Sequence, residues 1–135
     1  MQLSIRDNVR LMDVHPDLVA IVRAAAGFST INFIVTEGVR SKERQAQLVA
    51  SGKSQTMNSR HLTGHAVDLA VWFDQDSDKV VDVGELSWRF PHYQLLAAAV
   101  KTAAKTLGTP IEWGGDWKSF VDGPHFQLPF AQYPK

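Results

Sequence analysis

Three stretches of the chain have the signals of helices, and in the first and third of them apolar residues recur at intervals of three and four, the period of an amphipathic helix. The first stretch opens at residues 15–17 (His-Pro-Asp), which suit a first helical turn, and Gly27 is expected to end it. The second runs from Ser41, an N-cap residue, to residue 50. The third and longest runs over residues 91–107. The pattern therefore predicts three helices.

Four other segments have the composition or the alternation of β-strands. Residues 31–36 (INFIVT) are β-branched and aromatic, and residues 65–73 (HAVDLAVWF) alternate between an aliphatic face and a face where small residues flank Asp68. Short segments at 111–113 and 124–128 surround a Gly-Gly-Asp-Trp turn. We predict an α+β fold in which helices cover one face of a small, mainly antiparallel sheet.

Two stretches lack regular periodicity. Residues 52–64 are rich in Ser, Gly, Asn and Thr, which predicts an irregular loop. In residues 74–85 the acidic side chains fall at positions 1, 3, 5, 9 and 12 of an EF-hand-like calcium loop. However, Lys79 replaces the glycine at position 6 of that loop, and a strand precedes the segment. We expect an acidic, solvated hairpin turn, and calcium binding is the alternative.

The composition is that of one globular domain spanning residues 1–135, of which 44% are hydrophobic and 21% charged. Lysine plus arginine and aspartate plus glutamate each number 14, so no basic excess or recognition motif points to nucleic acid. There is no cysteine, so any metal must be held by His, Asp or Glu. No apolar signal segment or membrane-length run is found, and we expect cytoplasmic synthesis without stable membrane association.

Side chains suited to metal binding or catalysis are most concentrated in two segments, residues 59–68 (SRHLTGHAVD) and 122–125 (DGPH). His61, Asp68 and His125 could supply three ligands to one zinc ion and leave a fourth position for water. Asp122, three residues before His125, could reach that water as a general base. Spacing alone leaves an alternative open, in which the histidines are surface or hydrogen-bonded structural residues and Asp68 is a capped carboxylate.

These residues match a known pattern. Ser-x-His-x-x-Gly-x-Ala-x-Asp with a downstream Asp-or-Glu-x-x-His resembles the signature of the zinc D-Ala-D-Ala metallopeptidase family. This family includes VanY-type carboxypeptidases, VanX-type dipeptidases and bacteriophage L-alanyl-D-glutamate peptidase endolysins. The similarity continues through residues 38–41 (GVRS), Gln45, Gln47 and residues 113–117 (WGGDW), and so covers about residues 10–128. The chain most resembles a compact phage endolysin without a separate cell-wall-binding domain.

The resemblance implies that His61, Asp68 and His125 bind zinc and that Asp122 is the catalytic acid/base. Many relatives have glutamate where this chain has Asp122, so its shorter side chain must lie closer to the water. The resemblance also implies that Arg40 binds a substrate oxygen and stabilises the oxyanion.

For several residues the sequence leaves two interpretations. Without the family pattern, Arg40 could instead form a surface ion pair with Glu37 or Glu43. Ser59 is expected to orient a ligand or substrate group, and a loop cap is equally consistent with its position. The remaining candidates are His65, which we expect at most beside a metal ligand or facing substrate; Asp116, expected to stabilise a turn; and Trp113 and Trp117, either a wall of the substrate site or core.

The predicted function is that of a zinc-dependent peptidase that acts on the stem peptides of bacterial peptidoglycan, cutting between L-alanine and D-glutamate. The alternatives are a D-Ala-D-Ala carboxypeptidase or dipeptidase of the same fold and, in a different class, a non-catalytic cell-wall-binding module. We expect a monomer that needs a separate membrane-permeabilising protein to reach its substrate.

Overall fold

The computed structural model describes residues 1–134, in which four α-helices and five β-strands are found. In chain order they are α1 (Ile5–Arg10), α2 (Pro16–Phe28), β1 (Asn32–Glu37), α3 (Lys42–Ala50), β2 (Ala66–Trp72), β3 (Leu86–Ser87), α4 (Phe90–Leu107), β4 (Glu112–Trp113) and β5 (His125–Gln127). Short 3-10 helices occupy Arg60–Thr63, Val83–Glu85 and Gly114–Asp116. Within residues 1–134, each helix is too short or too polar to cross a membrane.

All the strand pairs are antiparallel among the described residues, in the order β1-β2-β5-β4, and β3 also pairs with β2. Helices α2 and α4 pack against each other, and α4 also contacts β2. The hydrophobic core lies between these layers and includes Leu18, Ile21, Phe33, Leu96 and Phe126. The predicted α+β class and the mainly antiparallel sheet are confirmed.

Strand β2 has the alternation that its sequence predicts. Val67, Leu69 and Val71 are fully buried in the core. Asp68 belongs to the other face, as expected from the period of two in a strand. Its register partners are Glu37 on β1 and His125 on β5, so Asp68 lies in the middle of the sheet with a polar residue on either side.

The helix ends follow local capping rules, with one correction. The Ser41 hydroxyl accepts a hydrogen bond from the Arg44 amide at 3.0 Å, as expected of the N-cap of α3. Gly108, in the left-handed conformation with φ 69°, ends α4. The prediction that Gly27 ends α2 is wrong, because the helix continues to Phe28 and Gly27 does not adopt the positive φ of a C-cap glycine.

Helix α1 was not predicted, because its sequence is mostly polar and has no apolar stripe. Ser4 and Asp7 instead form a capping box, in which each side chain accepts a hydrogen bond from the other residue's backbone amide. The Asp7 carboxylate, only 2% exposed, also accepts from the Val35 amide on β1 at 2.9 Å. Helix α1 is therefore attached to β1, an edge strand, by a hydrogen bond to a buried carboxylate.

The acidic segment is more ordered than a solvated turn. It ends in the 3-10 helix Val83–Glu85 and in β3, neither of which was predicted. Glu85, 6% exposed, accepts hydrogen bonds from the amides of Gln75 and Asp82. One carboxylate oxygen from each of Asp74, Asp76, Asp78 and Glu85 lies within 4.8 Å of the others. The segment is therefore an acidic turn that closes on a buried glutamate.

Candidate metal centre and active site

His61 is held rigidly in the otherwise irregular segment before β2. The Ser59 hydroxyl accepts from the His61 amide at 3.2 Å and so caps the 3-10 helix that carries this histidine. The imidazole is 1% exposed, and its Nδ1 lies 2.8 Å from the Gly38 carbonyl oxygen. Because a carbonyl only accepts, Nδ1 carries the proton and Nε2 keeps a free lone pair. This Nε2 lies 3.3 Å from Asp68 Oδ1.

Gly38 can serve as the partner of His61 only because it is glycine. A Cβ at this position would collide with the Arg10 carbonyl and would lie 2.9 Å from the Val14 side chain. The loop after β1 therefore passes directly under the end of α1 and the segment that follows it. The close approach holds the Gly38 carbonyl in place as the acceptor for His61.

His125 faces Asp68 from the neighbouring strand. Its Nδ1 lies 3.3 Å from Asp68 Oδ1, and its Nε2 lies 2.8 Å from the side-chain oxygen of Gln127. The hydrogen bond to Gln127 occupies the outer nitrogen and directs the inner one towards Asp68 and His61. The two imidazole rings are 5.1 Å apart, centroid to centroid.

The three side chains form a donor set that fits a divalent metal ion. One ligand atom from each of His61, Asp68 and His125 lies within 4.8 Å of the other two. Each histidine has its outer nitrogen in a hydrogen bond, which is the usual arrangement of metal-binding imidazoles. Two nitrogens and one carboxylate, without thiolate, suit the borderline character of zinc. His61 and His125 are 64 positions apart in the sequence, and the structure brings them together with Asp68.

The charge state of Asp68 supports this arrangement. Burial alone would raise the pKa of the Asp68 carboxyl. The doubly protonated forms of the His125 and His61 rings supply hydrogen bonds and positive charge that outweigh burial, and they hold the pKa of Asp68 well below its usual range. Asp68 is therefore a carboxylate at any pH near neutrality, as an anionic ligand must be.

A cavity of about 620 Å³ opens over these residues. Among the residues singled out from the sequence, Arg40, Ser59, His61, Asp68, Asp122 and His125 line it. Trp117 lines it as well, with its ring 5.0 Å from that of His125. The cavity is therefore lined by the candidate ligands, by Arg40 and Asp122, and by an aromatic wall.

Arg40 makes the predicted ion pair and also faces the cavity. Its Nε and Nη2 each donate to the Glu37 carboxylate at 2.8 Å, whereas no ion pair with Glu43 is found in residues 1–134. Its Nη1 donates to the side-chain oxygen of Gln45 at 2.8 Å, and its Nη2 lies 3.4 Å from Asp68 Oδ2. The Arg40 backbone amide donates to the His61 carbonyl at 3.0 Å. The guanidinium is therefore fixed in direction beside Asp68.

Asp122 is attached to the loop around Gly114. Its amide donates to the Gly114 carbonyl at 3.0 Å, and its own carbonyl accepts from the His125 amide at 3.2 Å. Burial and the negative charge of Asp68 raise the pKa of the Asp122 carboxyl above its usual range. A raised pKa makes this carboxylate a stronger base than an exposed aspartate.

We predict that Gly114→Ala reduces activity by displacing Asp122. A Cβ on Gly114 would collide with the Asp122 carbonyl and lie 3.1 Å from both Asp122 Cβ and His125 Cβ. A shift of about 1 Å in a catalytic group can cost on the order of 100-fold in rate. The measurement is kcat on the substrate predicted from the sequence, for the Gly114→Ala variant and for wild type.

Gly27→Ala is the matched control for this substitution, since a Cβ there meets nothing within 4 Å. Replacing this helical glycine should stabilise the protein by about 0.5–1 kcal/mol without any change in kcat. Equal kcat for the Gly114→Ala variant and wild type would contradict the close packing around Asp122.

Of the other four residues considered from the sequence, only Trp117 lines the cavity. His65 is outside the cavity lining, with its ring 5.6 Å from that of His15 and its Nδ1 2.7 Å from the Thr63 hydroxyl. Asp116 lies in the 3-10 helix Gly114–Asp116 and pairs with Lys101 at 2.7 Å. Trp113 is buried, and its indole donates to the Gly123 carbonyl, so it belongs to the core, unlike Trp117.

Two glutamines were not recognised as parts of the site from sequence. Gln45, noted only as part of the family similarity, is fully buried and binds both Arg40 and the Thr56 carbonyl. Gln127 binds His125 and lines the cavity. The signal for Gln127 was its spacing, because residues two apart on a strand share a face.

The cavity has two buried imidazoles and a carboxylate that could hold one metal ion, and a second carboxylate, that of Asp122, that could act as a base. This combination is typical of single-metal hydrolases. The chain belongs to the phage L-alanyl-D-glutamate peptidase family, whose sequence model matches residues 1–128. The membership expected from the sequence motif is thereby confirmed.

Individual relatives agree with this assignment. The crystal structure of the Serratia marcescens L-Ala D-Glu endopeptidase ChiX superposes with a TM-score of 0.86 at 44% identity, covering 100% of this chain and 95% of ChiX. The L-alanyl-D-glutamate peptidase of Listeria phage A118 is 43% identical over 103 residues, 76% of this chain. The match spans only about a third (32%) of that phage protein. The Bacillus subtilis peptidoglycan L-alanyl-D-glutamate endopeptidase CwlK is 31% identical over 146 residues, 94% of this chain and 80% of CwlK.

Proposed function

We propose that this chain is a zinc-dependent peptidase that hydrolyses the bond between L-alanine and D-glutamate in peptidoglycan stem peptides. One observation carries the proposal: His61, Asp68 and His125 converge on a cavity that Asp122 and Arg40 also line, in a chain of this family. The named activities of ChiX and CwlK support the choice of bond.

In this proposal His61 Nε2, His125 Nδ1 and the Asp68 carboxylate hold the zinc ion. When bound, zinc supplies Lewis-acid chemistry, because it lowers the pKa of water and polarises a carbonyl. Hydrogen bonds to Gly38 and Gln127 orient the two imidazoles, so that the ligand atoms need not reorganise when a metal enters.

Asp122 is the proton carrier of the reaction. Its carboxylate accepts a proton from the attacking water and then delivers that proton to the amine that leaves when the peptide bond breaks. Its raised pKa suits both steps, because the group must hold the proton between them. Its side chain is short, so its position depends on the backbone contacts with Gly114 and His125.

Arg40 binds the substrate oxygen. A guanidinium has five N–H groups, and four of those on Arg40 point to Glu37, Gln45 and Asp68. The one left on Nη1 is available to the carbonyl oxygen, where negative charge develops during attack. Ser59 acts mainly through the cap that it provides to the helix carrying His61.

The chain would meet its substrate in the cell wall, outside the cytoplasmic membrane. We therefore propose cytoplasmic synthesis followed by passage that depends on a separate membrane-permeabilising protein. All the residues invoked in the reaction come from one chain, so a monomer is sufficient for activity.

Cleavage of defined muropeptides, followed by mass spectrometry, tests the reaction. We expect a new N-terminal D-glutamate, loss of activity on chelation and recovery on addition of zinc, with one zinc per chain in the purified protein. Release of free D-alanine would point to a D,D-carboxypeptidase or dipeptidase. Binding to cell walls without hydrolysis would indicate a non-catalytic module. Full activity in metal-free protein would overturn the proposal.

A further inference from the structure

A chain of hydrogen bonds runs from His125 to a carboxylate behind the candidate metal centre. His125 Nε2 lies 2.8 Å from Gln127 Oε1, and Gln127 Nε2 lies 2.8 Å from Glu112 Oε2. The strand register explains the geometry, because Glu112 on β4 is directly opposite Gln127 on β5. His125 and Gln127 are two residues apart on β5 and so share a face.

The direction of this chain is set by Glu112. A carboxylate can only accept hydrogen bonds, so the Gln127 side chain must turn its NH₂ group towards Glu112. The Gln127 oxygen is then directed to His125, where it can only accept. His125 must therefore carry a proton on Nε2, and its Nδ1 lone pair is left for a metal ion. The opposite orientation of the amide would place two acceptors, Gln127 Oε1 and Glu112 Oε2, against each other.

We propose that Gln127 and Glu112 are positioning residues that fix the ring orientation and protonation pattern of His125 for binding zinc through Nδ1. The inference rests on the proposed function, since it concerns the same metal centre. Glu112 acts without contact to the metal or substrate, through an intervening amide. Partners of this kind contribute about 10–100-fold to metal affinity in other metalloproteins.

A purely structural role for the pair is the competing explanation. Glu112 and Gln127 form a cross-strand pair, and such pairs stabilise a sheet by about 0.2–1 kcal/mol wherever they occur. That role would lower the stability of the metal-free protein and leave the zinc affinity of the folded protein unchanged. Zinc affinity therefore separates the two explanations.

The test compares the zinc affinity of wild type with that of four variants, measured by competition with a chromophoric chelator. Gln127→Leu removes the acceptor for His125, and Glu112→Leu removes the group that orients Gln127. We expect each to weaken zinc binding, Gln127→Leu by about 10–100-fold and Glu112→Leu by less. The double variant Glu112→Gln/Gln127→Glu exchanges the two groups. The amide introduced at position 112 can donate to the carboxylate introduced at position 127, and this carboxylate can accept from His125. The double variant should bind zinc more tightly than Gln127→Leu and with an affinity close to that of wild type.

Gln94→Leu is the matched control, an exposed glutamine on α4 whose loss should leave zinc affinity unchanged. Thermal unfolding of all the metal-free variants reports any general loss of stability. Wild-type affinity in both single Leu variants, or a swapped double variant as weak as Gln127→Leu, would overturn the inference and leave the proposed function intact. Failure of the wild-type protein itself to bind zinc would overturn both.

Discussion

Replacing Asp122 by asparagine should lower kcat on defined muropeptides by about 10²–10⁴-fold while zinc stays bound. The amide has nearly the same size, so the contacts of its backbone with Gly114 and His125 persist. What it loses is the ability to take a proton from water and return it to the leaving amine. The measurement is kcat together with the zinc content of the purified variant.

Asp116→Asn makes the same chemical change six residues earlier and is the control. Asp116 is exposed, and its ion pair with Lys101 is of the surface kind that contributes at most about 1 kcal/mol. This variant should hydrolyse peptidoglycan as wild type does. An Asp122→Asn variant that retains wild-type kcat would remove Asp122 from the reaction and require another proton acceptor in the cavity.

Substituting His61 by alanine should weaken zinc binding by more than about 100-fold, beyond the usual effect of partners that only support a ligand. The change removes one of three candidate ligand atoms and leaves Asp68 and His125 unable to enclose an ion. It also leaves the Gly38 carbonyl without its donor, so some loss of stability should accompany it. Hydrolysis should be abolished, as measured with stoichiometric zinc supplied.

His92→Ala is suited as the comparison, because His92 lies on α4, bound to the Ser87 hydroxyl, away from the cavity lining. Its zinc affinity should equal that of wild type. Circular dichroism distinguishes loss of a ligand from loss of the fold. A folded His61→Ala protein with unchanged zinc affinity would show that the ion, if bound, lies elsewhere.

The fold could be predicted from sequence wherever one face of an element is buried, because apolar residues then recur at the period of a helix or a strand. The alternation of β2 placed Val67 and Leu69 in the core and Asp68 on the opposite face, and the structure agrees. Helix α1 could not be found in this way, because its position depends on the capping box and on one buried carboxylate, Asp7, bound to β1. The end of α2 was misjudged because a glycine permits a left-handed cap without requiring one.

The candidate site was less predictable than the fold, because the residues that contact one another there are far apart in the sequence. The motif and the similarity around Arg40 pointed to Arg40, Ser59, His61, Asp68, Asp122 and His125, and the structure brings all of them to one cavity. It could not reveal that Arg40 both pairs with Glu37 and faces the cavity, since a guanidinium offers several donors at once. Gln127 and Glu112 escaped notice because their importance depends on the β4–β5 register, which a single sequence does not specify.

The segment that carries His61 and the loop that carries Arg40 are joined in both directions. The His61 ring donates to the Gly38 carbonyl, and the Arg40 amide donates to the His61 carbonyl. A shift of either residue would strain these hydrogen bonds, so we expect the distance between the proposed metal ligand and the proposed oxyanion donor to be kept if the cavity widens to admit a wall fragment. Substrate entry would then deform the outer walls of the cavity and leave these two segments joined.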